Sequence, residues 1–210
     1  MKFFNLLIFV LTTYLYSVDI KPIPEYVVFD SNKAKLGKKL FYDTILSQDG
    51  TISCSHCHDL LNGGDDGLKY SYGIKGKQGH INTPTVLNSI FNFRQFWDGR
   101  AKDLEEQALG PIENPVEMGM NFDNIVKKLQ NNMEYKKIFE SVYQDGVTKK
   151  NILNAIVEYE KTLITPNAPF DRYLKGDLNA ISKKAKRGYK LFITPPINNL
   201  NYGIILVWKR

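Results

Sequence analysis

Apolar residues recur at three- and four-residue intervals in several separate stretches of this chain, and strict apolar–polar alternation is scarce, so the pattern predicts a mainly α-helical protein. After an extended entry marked by Pro22 and Pro24, a helix is expected with Ser31 as its N-cap and with Leu36, Leu40 and Phe41 on its apolar side. Further helices are read over residues 123–129, 135–143 and 149–163. The last has Thr148 as a cap and places Ile152, Leu153, Ile156, Val157 and Leu163 at helical spacing. Residues 166–177 read as a linker, and residues 182–192 as one more helix, basic and amphipathic.

Between the first helix and those that follow, turn residues dominate. Ser47-Gln48-Asp49-Gly50 lead into Cys54-Ser55-His56-Cys57-His58, and residues 62–82 are rich in glycine and polar side chains. A long loop of this kind inside a compact domain has a functional reason to exist, and here it implies backbone wrapped around something. Asp65 and Asp66 sit in a glycine-rich turn and are read as turn residues.

Composition narrows the classes. With 210 residues, 43% of them hydrophobic, the chain can bury a real core, enough for one domain or one plus a fragment. The formal net charge of +6 comes from scattered lysines and arginines without a long basic run or aromatic interleaving, which speaks against a nucleic-acid groove. It fits a solvated surface with a patch that steers an acidic redox partner. Lys2 precedes an apolar stretch over residues 3–16 that is broken by Asn5 and two threonines, and charged sequence begins at Asp19. Residues 1–17 therefore read as a secretory signal peptide cut after Ser17, which implies a periplasmic protein; an uncleaved anchor is the alternative. The only two cysteines lie three positions apart, so a framework of several bridges is excluded and the two thiols act together.

Two thiols at this spacing can each add to a haem vinyl group, and a histidine immediately after the second can turn back to the iron. A redox disulfide, a structural bridge and a half zinc site completed by His56 and His80 are the competing readings. The export signal and the lack of a thioredoxin-like βαβ pattern favour one covalent haem c on Cys54 and Cys57, with His58 as iron ligand. His56 reads as an exposed spacer. His80 is the only other histidine that could take the sixth iron position, and Met118 and Met120 read as core filler.

Around these residues the chain resembles the bacterial di-haem cytochrome c peroxidases and the related methylamine-utilisation haem enzymes. The resemblance is carried by residues 36–43, Leu46-Ser47, the haem motif, Asn82-Thr83-Pro84-Thr85-Val86-Leu87-Asn88 and Phe96-Trp97-Asp98-Gly99-Arg100. It continues through Gln107, Gly110-Pro111, Glu117-Met118, Leu163-Ile164-Thr165-Pro166 and residues 170–177, covering nearly all of 33–192 in family order. It implies a cytochrome c-like peroxidatic domain over residues 18–164. Residues 165–210 would then be a linker and the truncated start of a second such domain. The implied activity is reduction of hydrogen peroxide to water in the periplasm, with a small cytochrome c or copper protein as electron donor. Glu117 and Gln107 would lie on the open side of the haem, Trp97 on the path between two haems, and Asn82 at a calcium site between domains. A carboxyl group beside an open iron position suits proton transfer during O–O cleavage, and desolvation would raise its pKa. Trp97 is expected to be buried. A homodimer is one assembly open to such a protein.

Two departures stand out. Ile74 occupies the place where many relatives carry a histidine that closes the sixth iron position and swings away on activation, and isoleucine cannot ligate iron. After residues 185–192 relatives continue to a second Cys-x-x-Cys-His, whereas this chain runs Ile193-Thr194-Pro195-Pro196 into an apolar ending, 202–208, that reads as a shifted frame or truncated product. An exposed apolar ending of that kind is an aggregation liability. With one haem only, a mono-haem electron carrier and a methylamine-utilisation-type oxidase are the alternatives to a peroxidase.

Overall fold

The structure, a computed structural model, describes residues 20–193. The segment read as an export signal and the apolar ending lie outside the described residues. Among the described residues eight α-helices follow one another: α1 (Ser31–Tyr42), α2 (Cys54–Cys57), α3 (Leu104–Glu113), α4 (Phe122–Asn131), α5 (Met133–Val142), α6 (Lys149–Glu160), α7 (Pro169–Leu174) and α8 (Lys183–Ile193). No strand is present among the described residues, and two isolated bridges, Tyr72 with Gln78 and Gln95 with Ala101, tie loops together. The chain divides into two compact units. Pro24–Pro166 form one, with α1 to α6; of the described residues, 20–23 and 167–193 belong to the other.

Polar caps set the helix starts. Asp30, one residue earlier than Ser31, caps α1 by accepting the N–H groups of Asn32 and Lys33. A carboxylate in extended backbone reaches two orphan donors at once, which explains the shift from the expected boundary. Asn121, Asn132 and Thr148 cap α4, α5 and α6 in the same way. Helix α3 was not expected, because Gly110 and Pro111 argue against a helix. The proline removes one internal bond, but the carbonyls of Pro111 and Ile112 are recovered by the N–H groups of Met118 and Met120 at 3.1 and 2.8 Å.

Within the larger unit, α1 packs chiefly on α6. Leu36, Leu40, Leu46, Ile74, Ile112, Phe122, Ile125, Leu129, Tyr135, Phe139, Ile152 and Ile156 share its main core. Full burial of each Leu, Ile or Phe contributes about 1.5–3 kcal/mol. A second cluster, Phe41, Val86, Tyr159 and Leu163, lies where α1 and α6 end, and Cys54, Leu60 and Leu87 pack against it.

In the smaller unit the expected linker instead forms α7. Pro169 stands at its first turn, and the buried Asp171 carboxylate accepts the N–H groups of Ile23 and Ala168. A proline there is preorganised for a helix, a signal that the linker reading overlooked. The rings of Phe170 and Tyr173 meet Tyr189 of α8 at centroid distances of 5.2 and 5.9 Å.

The α1–α6 crossing depends on one glycine. A Cβ at Gly37 would lie 1.8 Å from the Ala155 carbonyl oxygen and 2.9 Å from Tyr159 Cβ. Gly37→Ala should therefore push the helices apart and cost about 1–3 kcal/mol. Urea unfolding of the haem-loaded protein measures this, and an unchanged midpoint would show that the crossing is not tight.

Candidate functional site

The Cys-Ser-His-Cys-His run folds into the single helical turn of α2, which places Cys54 and Cys57 three positions apart on one side. Both are unpaired and half-buried. The backbone closes behind them through His58 N–H to Cys54 carbonyl at 3.0 Å. His58 Nδ1 lies 3.2 Å from the carbonyl of Gly64. A carbonyl can only accept, so Nδ1 carries the proton and Nε2 keeps its lone pair. Burial lowers the His58 pKa, opposed by the Gly64 bond and by Asp66 and Asp65, which favours the neutral ring that a metal requires. Gly64 has φ +79°, and a Cβ there would strike Thr85 Oγ1 at 2.7 Å, so only glycine delivers this carbonyl without strain.

The thiols are poor anions. Burial, helped by Glu160 and Cys57, pushes Cys54 up to about 12. Burial also pushes Cys57 up to about 11, with Asp66 and Glu117 adding to it. Zinc ligation and thiol exchange both need a thiolate, whereas a thioether carries no charge and loses nothing in this setting. Phe41, Leu60, Val86 and Leu87 give the turn an apolar wall, and Ser89 Oγ and Glu160 Oε2 are buried without a hydrogen-bond partner. These features fit a porphyrin bound through both sulfurs.

Glu117 is half-buried on the segment that folds back along the end of α3. Asn114 holds it twice: its carbonyl accepts the Glu117 N–H at 3.0 Å, and its amide donates to Oε1 at 2.6 Å. The loop bearing Ile74 fixes the other side, since Ile74 N–H donates to the Glu117 carbonyl at 2.8 Å. Gly73 lies so close that a Cβ would come within 2.6 Å of Glu117 Cα. Burial raises the Glu117 pKa, with the Asn114 bond and the Arg100 cation working against it. Its charge contributes, after burial and Asp66, to the raised Cys57 pKa. Gln107 is half-buried on α3, and Phe96 lies against Gly110 one turn further along the helix.

Trp97 differs from expectation: it is 64% exposed. Phe96, at φ +65°, takes the inward position with Arg100 stacked 3.5 Å from its ring centroid, so its neighbour is turned outward. The Trp97 indole N–H still donates to the Asn82 carbonyl at 2.9 Å, while the Asn82 amide donates to Leu68 carbonyl at 2.7 Å. Ile74 is 1% exposed and belongs to the main core, as do Met118 and Met120. His56 and His80 are exposed. Asp65 and Asp66 close local turns on Gly67 and Leu68.

A helical domain with the only two thiols of the chain three positions apart against an apolar cluster, and a histidine immediately after the second, is the mark of the c-type haem proteins. Within that class the chain belongs to the di-haem cytochrome c peroxidase family, whose model matches residues 31–179. It is 49% identical to the cytochrome c peroxidase Ccp of Escherichia coli over 188 residues, 89% of this chain and 40% of that protein. It is 47% identical to the cytochrome c551 peroxidase of Nitrosomonas europaea (82% of this chain, 52% of that protein). Identity to the methylamine utilization protein MauG of Methylophilus methylotrophus is 37%, over 83% of this chain and 52% of that protein. The chain thus spans about half the length of these relatives. A solved MauG-like protein associated with microbial copper homeostasis matches 83% of this chain and 53% of its own, with a TM-score of 0.71 and 27% identity.

Three site residues escaped the sequence reading: Gly64, Arg100 and Glu160. For Glu160 a signal existed, because it follows Ile156 by four and Leu153 by seven positions, which puts a carboxylate on the apolar face of α6.

The double variant Cys54→Ser, Cys57→Ser should retain no haem after acidified-acetone extraction, while the wild type keeps its haem, as read by pyridine-haemochrome absorbance. Haem that resists extraction from the double variant would contradict attachment at this turn.

Proposed function

We propose that this chain bears one haem c and reduces hydrogen peroxide to water, drawing electrons from a small periplasmic cytochrome c or copper protein. The reading rests on Glu117, a desolvated carboxyl group pinned from two sides whose charge acts on Cys57. Relatives sharing 47–49% identity are named as cytochrome c peroxidases, which supports it. One haem follows from the two cysteines of the sequence, and the periplasm from the pattern of residues 1–17.

The bound haem would supply the electrons that split the O–O bond. His58 would hold the iron through Nε2, its orientation set by the Gly64 carbonyl. Glu117 takes the proton from one peroxide oxygen and returns it to the departing one, so that hydrogen peroxide, two electrons and two protons become two water molecules. The Asn114 amide keeps the carboxylate aimed while it is ionised. Gln107 is assigned the neighbouring polar contact to peroxide. Trp97, with its ring in solvent and its indole N–H anchored, serves as the point of electron entry.

His58 is the one residue proposed to hold the iron, so peroxide would meet the metal directly. Ile74, Met118 and Met120 are buried in the main core, and His56 and His80 are exposed to solvent. Calcium at Asn82 carries no step of this reading. Among the described residues, no group of three or more His, Cys, Asp or Glu side chains is arranged to hold a metal ion.

Glu117→Gln should slow the reaction of the haem-loaded protein with peroxide by roughly 10²–10⁴-fold while leaving the resting spectrum unchanged. The wild-type rate should fall as pH drops through the raised Glu117 pKa, because the base is lost, and this limb should vanish in the variant. Stopped-flow absorbance measures both effects; a Gln variant that matches the wild type would remove Glu117 from the chemistry.

A further inference from the structure

Glu160 takes no part in the scheme above, yet it is the most unusual carboxylate of the larger unit. It is 6% exposed, ends α6, and its Oε2 has no hydrogen-bond partner. The other orphan, Ser89 Oγ, is nearby in the fold, since Leu163 joins the two segments: its N–H donates to the Glu160 carbonyl and its carbonyl accepts the Asn88 N–H. Tyr159, Val86 and Leu163 form the cluster against which Cys54 packs, and the Glu160 charge reaches the Cys54 sulfur.

Burial is what moves the Glu160 pKa, and no compensating charge acts on it among the described residues. Lys161, its sequence neighbour, is committed to Glu158 at 2.6 Å, and Glu158 also accepts the Asp30 N–H. The negative end of the α6 dipole opposes an anion at this position. Of the other titratable groups on the packed elements, Cys54 and Cys57 would lose theirs on haem attachment, burial raises the Tyr159 pKa, and burial lowers that of His58; the Tyr42 ring lies 6.4 Å from that of Tyr159. Asp65 and Asp66 act on His58, and Glu117 acts on Cys57.

We propose that Glu160 is a redox-linked proton site of the haem carried by Cys54: each electron that enters the iron is accompanied by a proton that enters the Glu160 carboxyl from solvent. Ferric iron carries one more positive charge than ferrous iron, so it favours the carboxylate, and reduction favours the acid; charges interact strongly in so dry a setting. The balance is one electron from the reductant and one proton from water, with no bond broken at the porphyrin. Burial alone already pushes Glu160 up to about 8, which puts the exchange in an accessible range. The inference rests on the haem reading above.

Mediated spectroelectrochemistry of the haem-loaded protein between about pH 6 and pH 10 tests it. The potential should fall as pH rises, by up to about 59 mV per tenfold change in proton activity for one electron. Glu160→Gln should flatten the curve near its acid-side value, and Glu117→Gln should keep the slope. A flat wild-type curve, or an unchanged slope in Glu160→Gln, overturns the proposal. Should Glu160→Gln fail to mature, the reduced-minus-oxidised infrared spectrum of Glu117→Gln decides. A carboxylic C=O band gained on reduction supports the site, and its absence overturns it. A protein without covalent haem would overturn both readings, whereas a haem-loaded protein with a pH-independent potential overturns the proton site alone.

Discussion

The close crossing of α1 and α6 is the constraint from which the site follows. Without a side chain at Gly37 the two backbones meet at Ala155, and their ends bring Phe41 and Tyr159 together at a centroid distance of 5.2 Å. That aromatic pair is the floor on which the Cys54–Cys57 turn rests: Phe41 lies 6.4 Å from the His58 ring, and Cys54 packs on the same cluster. The high thiol pKa values, the neutral imidazole and the stranded carboxyl of Glu160 all follow from how dry this floor is. Close packing at one glycine therefore governs electrostatics several residues away.

A second scaffold presents Glu117. The end of α3 lacks internal partners for its carbonyls, and the returning segment supplies them through Met118 and Met120. The loop of residues 71–79 then closes on this segment from outside, with Lys77 Nζ on the Pro115 carbonyl and Ile74 in the core. The carboxylate thus sits on backbone fixed by hydrogen bonds along both edges. If Glu117 acts as proposed, a group held this way would lose little freedom in reaching the transition state.

Much of this was legible in the residues. Periodicity placed the first, fourth, fifth and sixth helices within a few positions of their ends, and the spacing of Cys54, Cys57 and His58 singled out that turn as the candidate site before any geometry was known. Helix α3 was hidden by Gly110 and Pro111, because the compensating bonds come from residues seven or eight positions further along, which local propensity does not register. α7 was hidden by its shortness and by the turn residues around it. The exposure of Trp97 turns on a single positive φ at Phe96, which no pattern of types announces. Glu160 was visible as a charge on an apolar face, but only the fold shows that it lacks a partner.

The account stands or falls on an iron with His58 on one side and room for peroxide on the other. The electron paramagnetic resonance spectrum of the ferric, haem-loaded protein at neutral pH tests this most directly. A high-spin signal is the expected result. A wholly low-spin signal from an iron saturated by a second protein side chain would contradict it.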